Sequence, residues 1–108
     1  MIGRLEGVLL EKNAETILID VRGVGYELTC PLTVIEQLPA IDEPCALCVQ
    51  THVREDQITL FGFISIAERT LFRALITVSG IGPRLAVACL SGMDGPRLQR
   101  AILQGDLK

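Results

Sequence analysis

An α+β fold is predicted, with the β part first and the helical part second. Three observations predict it. Up to Phe63 the chain is a series of short runs rich in Ile, Leu and Val, separated by turn residues. From Ser65 onward the apolar spacing becomes helical: Leu71, Leu75, Ile76 and Val78, then Leu85, Ala86, Val87, Ala88 and Leu90. Between these two helical patterns stands Ser79-Gly80-Ile81-Gly82-Pro83-Arg84. A boundary near residue 64 therefore divides the chain into 1–64 and 65–108 with almost no linker, so rigid coupling of the two parts is expected.

The elements follow in order. Ile2 to Leu10 alternates loosely and reads as a strand; Asn13-Ala14-Glu15 is the turn to a clearer strand, Thr16 to Val21. Arg22-Gly23-Val24-Gly25 suits a bend or bulge, and Tyr26 to Cys30 forms a third strand stopped by Pro31. Thr33 to Leu38 reads as a short helix with Thr33 as its N-cap. Ala46 to Val53 and Ile58 to Phe63 make a hairpin around Arg54-Glu55-Asp56-Gln57. Five or six strands with a helix after the third fit an OB-type barrel. Ser65-Ile66-Ala67-Glu68 is a capping box that opens a helix running to about Val78. A last helix, capped by Asp94, is expected over Pro96 to Leu103 and ends at Gly105.

The segment from Val78 to Ala86 has the form h-x-G-h-G-x-x-x-A, a helix-hairpin-helix signature. Gly80 and Gly82 permit a tight turn and leave no side chain in front of the amides. Pro83 suits a first helical position, where a missing N–H costs nothing. The second helix then presents free N–H groups and its positive dipole end outward, as a phosphate site. Arg84 adds a cation beside those amides, and Ala86 allows close helix packing. An ordinary two-glycine corner is the bland alternative. The agreement of turn, proline, cation and small residue favours backbone recognition of DNA without base readout.

The charge divides along the same boundary. Residues 1–64 carry four cations against ten acids, a net of −6, whereas residues 65–108 carry six against three, a net of +3. The anion-binding face is therefore expected in the second half. The chain is 49% apolar with a mean hydropathy of +0.43, which is oily for a small protein and suggests a subunit interface, with packing against further chain as the alternative. No apolar run nears the roughly 20 residues of a membrane span, and Glu6, Glu11 and Lys12 interrupt any signal-peptide core. A cytoplasmic protein with four reduced cysteines is expected.

Other candidate chemistry is weak. Cys45 and Cys48 form a C-x-x-C, but on a strand they point to opposite faces. Cys30, Cys89 and His52 offer no paired spacing for zinc, so no metal site and no cofactor are expected. There is no phosphate-binding loop of an ATPase and no triad of nucleophile and base. Glu55 and Asp56 read, on composition, as a solvated hairpin tip. Arg54 beside them either contacts a phosphate or pairs with an acid. Arg69 and Arg73, one turn apart, are candidates for Glu68 or for a neighbouring subunit; Arg97 and Arg100 read as exposed-face residues.

Several segments together resemble the N-terminal part of the RuvA family, the Holliday-junction-binding subunits of the bacterial branch-migration machine. They are Met1-Ile2-Gly3-Arg4-Leu5 with Gly7, Val24-Gly25-Tyr26-Glu27, Val53-Arg54-Glu55-Asp56, Leu60-Phe61-Gly62-Phe63, Glu68-Arg69-Thr70-Leu71-Phe72 and Ser79-Gly80-Ile81-Gly82-Pro83. The resemblance implies a non-enzymatic subunit acting in recombination, repair and the SOS response. It implies that Ser79, Gly80, Ile81, Gly82, Pro83, Arg84 and Arg54 contact four-way junction DNA. It implies a homotetramer, or an octamer of two tetramers, in which Glu55 and Asp56 form an acidic pin near the centre that repels phosphate and keeps the junction open. The partners it implies are a RuvB-like ATPase motor and a RuvC-like resolvase, reached through the full-length protein. Family members are longer, with a second helix-hairpin-helix, a linker and a C-terminal domain, so this chain is expected to stop just before the second hairpin and to bind junctions more weakly. A metal-dependent nuclease would need more acids than Glu55 and Asp56. A single-strand binder would need stacking aromatics, and among Tyr26, Phe61, Phe63 and Phe72 the alternation of Phe61 and Phe63 about Gly62 reads as core. A generic DNA-binding or oligomerisation module is the remaining alternative.

Overall fold

The structure is a computed structural model, and it describes residues 1–92. Five strands, β1 (Arg4–Lys12), β2 (Thr16–Val21), β3 (Val24–Thr29), β4 (Pro44–Val53) and β5 (Ile58–Phe63), close into a barrel in the order β1-β2-β3-β5-β4. All neighbours are antiparallel except β3 and β5, which run parallel over Leu28↔Leu60 and Thr29↔Phe61. Helix α1 (Leu32–Gln37) lies between β3 and β4; α2 (Ile66–Ile76) and α3 (Pro83–Gly92) follow the barrel. This is the expected OB-like, α+β architecture. Asp94, Arg97, Arg100, Gly105 and the helix expected over Pro96 to Leu103 lie outside the described residues.

Closure requires β1 to serve two partners. It pairs with β4 through Arg4–Val8 and with β2 from Val8 onward, and a register shift between Leu9 and Glu11 marks the bulge where it bends. At Gly7 the backbone of β2 comes so close that an added Cβ would lie 2.1 Å from the Asp20 carbonyl oxygen. Only glycine fits there without moving a strand. The bulge is therefore in β1, not at Arg22–Gly25. The Arg22-Gly23 pair instead makes a tight two-residue turn with positive φ at both positions, 53° and 91°. The Asp20 carboxylate accepts the Gly23 N–H at 2.8 Å to hold it.

Two apolar cores result. The barrel interior holds Leu5, Leu9, Ile17, Ile19, Leu28, Leu47 and Val49, closed at one end by Val34, Ile35 and Leu38. It contains no fully buried aromatic ring. The second core lies outside the barrel, where Phe61 and Phe63 of β5 meet Phe72 and Leu75 of α2, Ile81, and Ala86 and Cys89 of α3. Phe72 stacks at a tilt on both β5 rings, with centroids 5.0 Å apart in each case. Phe61 and Phe63 are thus core residues, but of the core that fastens the helices to the barrel.

The local signals for the helices hold in part. Ser65 caps α2: its hydroxyl accepts the Glu68 N–H at 3.2 Å while the Glu68 carboxylate accepts the Ser65 N–H at 3.2 Å. The helix ends at Ile76 with Thr77 as C-cap, two residues before the expected Val78. Thr33 is not an N-cap. Helix α1 begins one residue earlier, Pro31 holds the cap position with no side-chain bond, and the Thr33 hydroxyl donates to the Leu90 carbonyl at 3.2 Å. A partner 57 residues away outcompetes the local amide.

Candidate nucleic-acid interface

Two exposed turns carry the expected site residues. The first joins α2 to α3. Helix α2 packs through Phe72 and Leu75, and the chain then turns through Ser79 and Gly80, with φ of Gly80 at +89°. Ile81 folds back into the core at 4% exposure, and its N–H donates to the Val78 carbonyl at 3.1 Å. That anchor leaves Gly82 on the outside. An added Cβ at Gly82 meets nothing within 4 Å, so the space in front of this backbone is open. Pro83 opens α3, and Ala86 N–H to Gly82 O at 3.0 Å is its first intrahelical bond. The amides of Arg84 and Leu85 come before any carbonyl of the helix can reach them. Arg84 is exposed and makes no ion pair among the described residues, where Arg4–Glu6 at 3.7 Å is the only one. Ala86, fully buried, lets α3 approach α2 closely.

Ser79, Gly80, Gly82, Pro83 and Arg84 are thus brought together at one corner with Ile81 as its internal rivet. The arrangement offers main-chain donors and one unpaired guanidinium to an anion.

Arg84 also stands beside a groove of about 440 Å³ between α3 and the barrel, lined by Glu15, Cys30, Leu32, Val87 and Ser91 among others.

The second turn joins β4 to β5. Val53↔Ile58 is the last strand pair, and Arg54 N–H donates to the Gln57 carbonyl at 2.8 Å to close the loop. Arg54, Glu55, Asp56 and Gln57 are all exposed, and neither carboxylate is engaged by a cation among the described residues. Arg54 likewise pairs with no acid among them. Val53 and Ile58, 54% and 68% exposed, put apolar surface directly beneath the carboxylates.

The cysteines stand apart from both turns. All four are free thiols. Cys45 packs against the barrel core, while Cys48 sits three residues on, on the other face of β4. Among the described residues no three His, Cys, Asp or Glu side chains gather as a metal group. Burial pushes the Cys30 thiol up to about 12, against a smaller opposing effect of the Gly62 backbone. Burial also raises Cys45 and Cys89. His52 lies edge-on to Phe61 at 6.3 Å, a packing role. No helix among the described residues is long and apolar enough to cross a membrane.

Neither Arg69 nor Arg73 pairs with Glu68, one of the two neighbours expected for them, among the described residues. Arg69 Nη1 donates to the Gly3 carbonyl at 2.7 Å and Arg73 Nε donates to Gln50 Oε1, so both tie α2 to the barrel. The only signal for this was their spacing of one helical turn on the face that also carries Phe72.

Barrel, packed hairpin and open corner define a class: small OB-like barrels that carry a helical hairpin on an outer face. The family model described as RuvA N terminal domain matches residues 1–62, and the chain belongs to that family. Among curated relatives it is 50% identical over 108 residues to the Holliday junction branch migration complex subunit RuvA of Laribacter hongkongensis, covering all of this chain and 54% of that protein. It is 49% identical over 108 residues to the protein of the same description in Chromobacterium violaceum, covering 55% of it. A third such relative, from Halorhodospira halophila, is 50% identical with 53% covered. The chain spans about half the length of the curated relatives it matches.

Proposed function

We propose that this chain is a non-catalytic DNA-binding unit that recognises four-way junctions by shape and by contact with the sugar-phosphate backbone. The observation that carries the reading is the open corner at Gly82, where the first amides of α3 stand beside the exposed Arg84, which has no ion pair among the described residues. A duplex phosphate docks there on Gly80, Gly82 and Arg84, with Ser79 and Pro83 shaping the approach and Ile81 holding the loop. Contacts to the sugar-phosphate backbone fix position on the duplex without reading sequence, so recognition is of geometry.

The acidic turn supplies the second half. Copies of the chain assemble around an axis, as a homotetramer or an octamer of two tetramers, with the exposed Glu55 and Asp56 towards its centre. Carboxylates there repel phosphates from the crossover while the corners hold the arms, which keeps the junction open. Arg54, exposed at the foot of the turn, contacts a phosphate at the edge of the repelled zone. A RuvB-like ATPase and a RuvC-like resolvase act on the junction so held, in recombination and repair in the cytoplasm.

The test is a salt-titrated binding series on a synthetic four-way junction and a duplex of equal length, with light scattering on the complex. Preference for the junction and a slope that reports several phosphate contacts per assembly are expected. Equal affinity for both DNAs would sink the reading, and a fourfold assembly that binds neither would leave an oligomerisation module instead.

A further inference from the structure

The helical hairpin is joined to the barrel by two polar links at opposite places. On α2, the Gly3 carbonyl accepts both Arg69 Nη1 at 2.7 Å and the Val49 N–H at 2.9 Å, and Arg73 Nε donates to Gln50 Oε1 one turn further on. Val49 and Gln50 are adjacent on β4, so α2 is held over the seam between β1 and β4. On α3, Ser91 Oγ accepts the Leu32 N–H at 2.9 Å and donates to Val87 O at 2.8 Å, while Thr33 Oγ1 donates to Leu90 O. Leu32 is the first residue of α1, whose own cap residue gives no side-chain bond. Ser91 therefore caps a helix 59 residues away in sequence.

These links differ in kind from the apolar core beneath them. Packed rings tolerate sliding, whereas hydrogen bonds weaken steeply off-axis. Phe61, Phe63 and Phe72 give adhesion; the four polar side chains give direction. The heads of Arg69 and Arg73 are turned to barrel acceptors, and Arg69 Nε is buried with no acceptor of its own. One N–H of each cation is thereby held by the barrel.

We infer that Arg69, Arg73, Thr33 and Ser91 are positioning residues that fix the angle between the glycine corner and the acidic turn, and that this angle sets the preference for four-way over linear DNA. The selectivity half of this rests on the function proposed above; the angular half does not.

Two double variants test it on the 108-residue chain. Thr33→Val with Ser91→Ala removes one link without changing charge, and Arg69→Met with Arg73→Met removes the other while keeping the apolar stems. Residual dipolar couplings report whether barrel and hairpin share one alignment tensor. A shared tensor is expected in the unmodified chain, with the hairpin tensor weakened in both variants. The ratio of junction to duplex affinity falls about tenfold in each. In the uncharged variant, duplex affinity stays put.

A tensor still shared in both variants, or an unchanged ratio in an unmodified chain that does prefer junctions, overturns the inference. So does a salt slope reduced by about two in the arginine variant with no effect in the other, because the arginines would then be phosphate contacts. If the arginine variant loses its fold by circular dichroism, the Thr33→Val, Ser91→Ala pair decides alone. If the unmodified chain shows no junction preference, the proposed function fails, and the tensors still decide the angular claim.

Discussion

The acidic turn at 54–57 and the glycine corner at 79–84 are both short, exposed connections, yet they store their polarity in different places. In the acidic turn one backbone bond, Arg54 N–H to Gln57 O, closes the loop, and the charge sits on side chains that form no ion pair among the described residues. In the corner the glycines carry no side chain, and apart from the Arg84 guanidinium the polarity sits on the main chain ahead of α3. Side-chain polarity can be edited without disturbing the fold. Main-chain polarity can only be covered or bent.

That contrast can be broken most sharply at Gly82. Gly82→Asp covers the amides with a carboxylate in space that is otherwise open, so the fold should survive while junction affinity in a gel shift drops by about a hundredfold or more, through lost contacts and added repulsion. Retained affinity would mean that the corner is not the binding surface. Next in size is Glu55→Gln with Asp56→Asn. Unfolding free energy should hold within the range of ordinary surface changes, about 0.5 kcal/mol, while duplex binding rises and junction preference falls several-fold; unchanged selectivity removes the pin from the account. Arg84→Ala sharpens the comparison from the cation side. It should lower the salt slope by about one per contacted phosphate and leave thermal stability alone. Gly80→Ala bends the corner instead of covering it. With φ at +89° the substitution should cost about 1–2 kcal/mol in urea unfolding. A control outside both turns is the Cys30 thiol. Its folded value near 12 lies above the ordinary 9.0, so the unfolded chain loses its proton first. Stability should be whole below pH 9 and decline as pH rises from 9 towards 12, while Cys30→Ala flattens that decline.

Much of this was legible because it is local. Alternating Thr16 to Val21, the Ser65–Glu68 box and the Val78–Ala86 signature each fix a structure within one or two turns of chain, and all three appear where expected. The errors come from bonds across long separations. Thr33 looks like a cap until Leu90 arrives, and Arg69 looks like a partner for Glu68 until Gly3 offers a carbonyl. Phe61 and Phe63 alternate as core residues should, but strand periodicity cannot say which side of a barrel is covered by helices. The bulge in β1 has no Gly or Pro to announce it at Leu10; it shows only as a shift in register against β2 between Leu9 and Glu11.

The parallel contact of β3 with β5 spans only two residue pairs. Every other stave joins its neighbour along four pairs or more. The cylinder thus has one thin join, made between segments some thirty positions apart, and such non-local pairing forms late and yields early. Phe61 belongs both to this join and to the ring stack under α2, so the docked helices act as a hoop on the weakest stave, and loosening them would let solvent deuterium reach Leu28 and Leu60 before any other barrel amide.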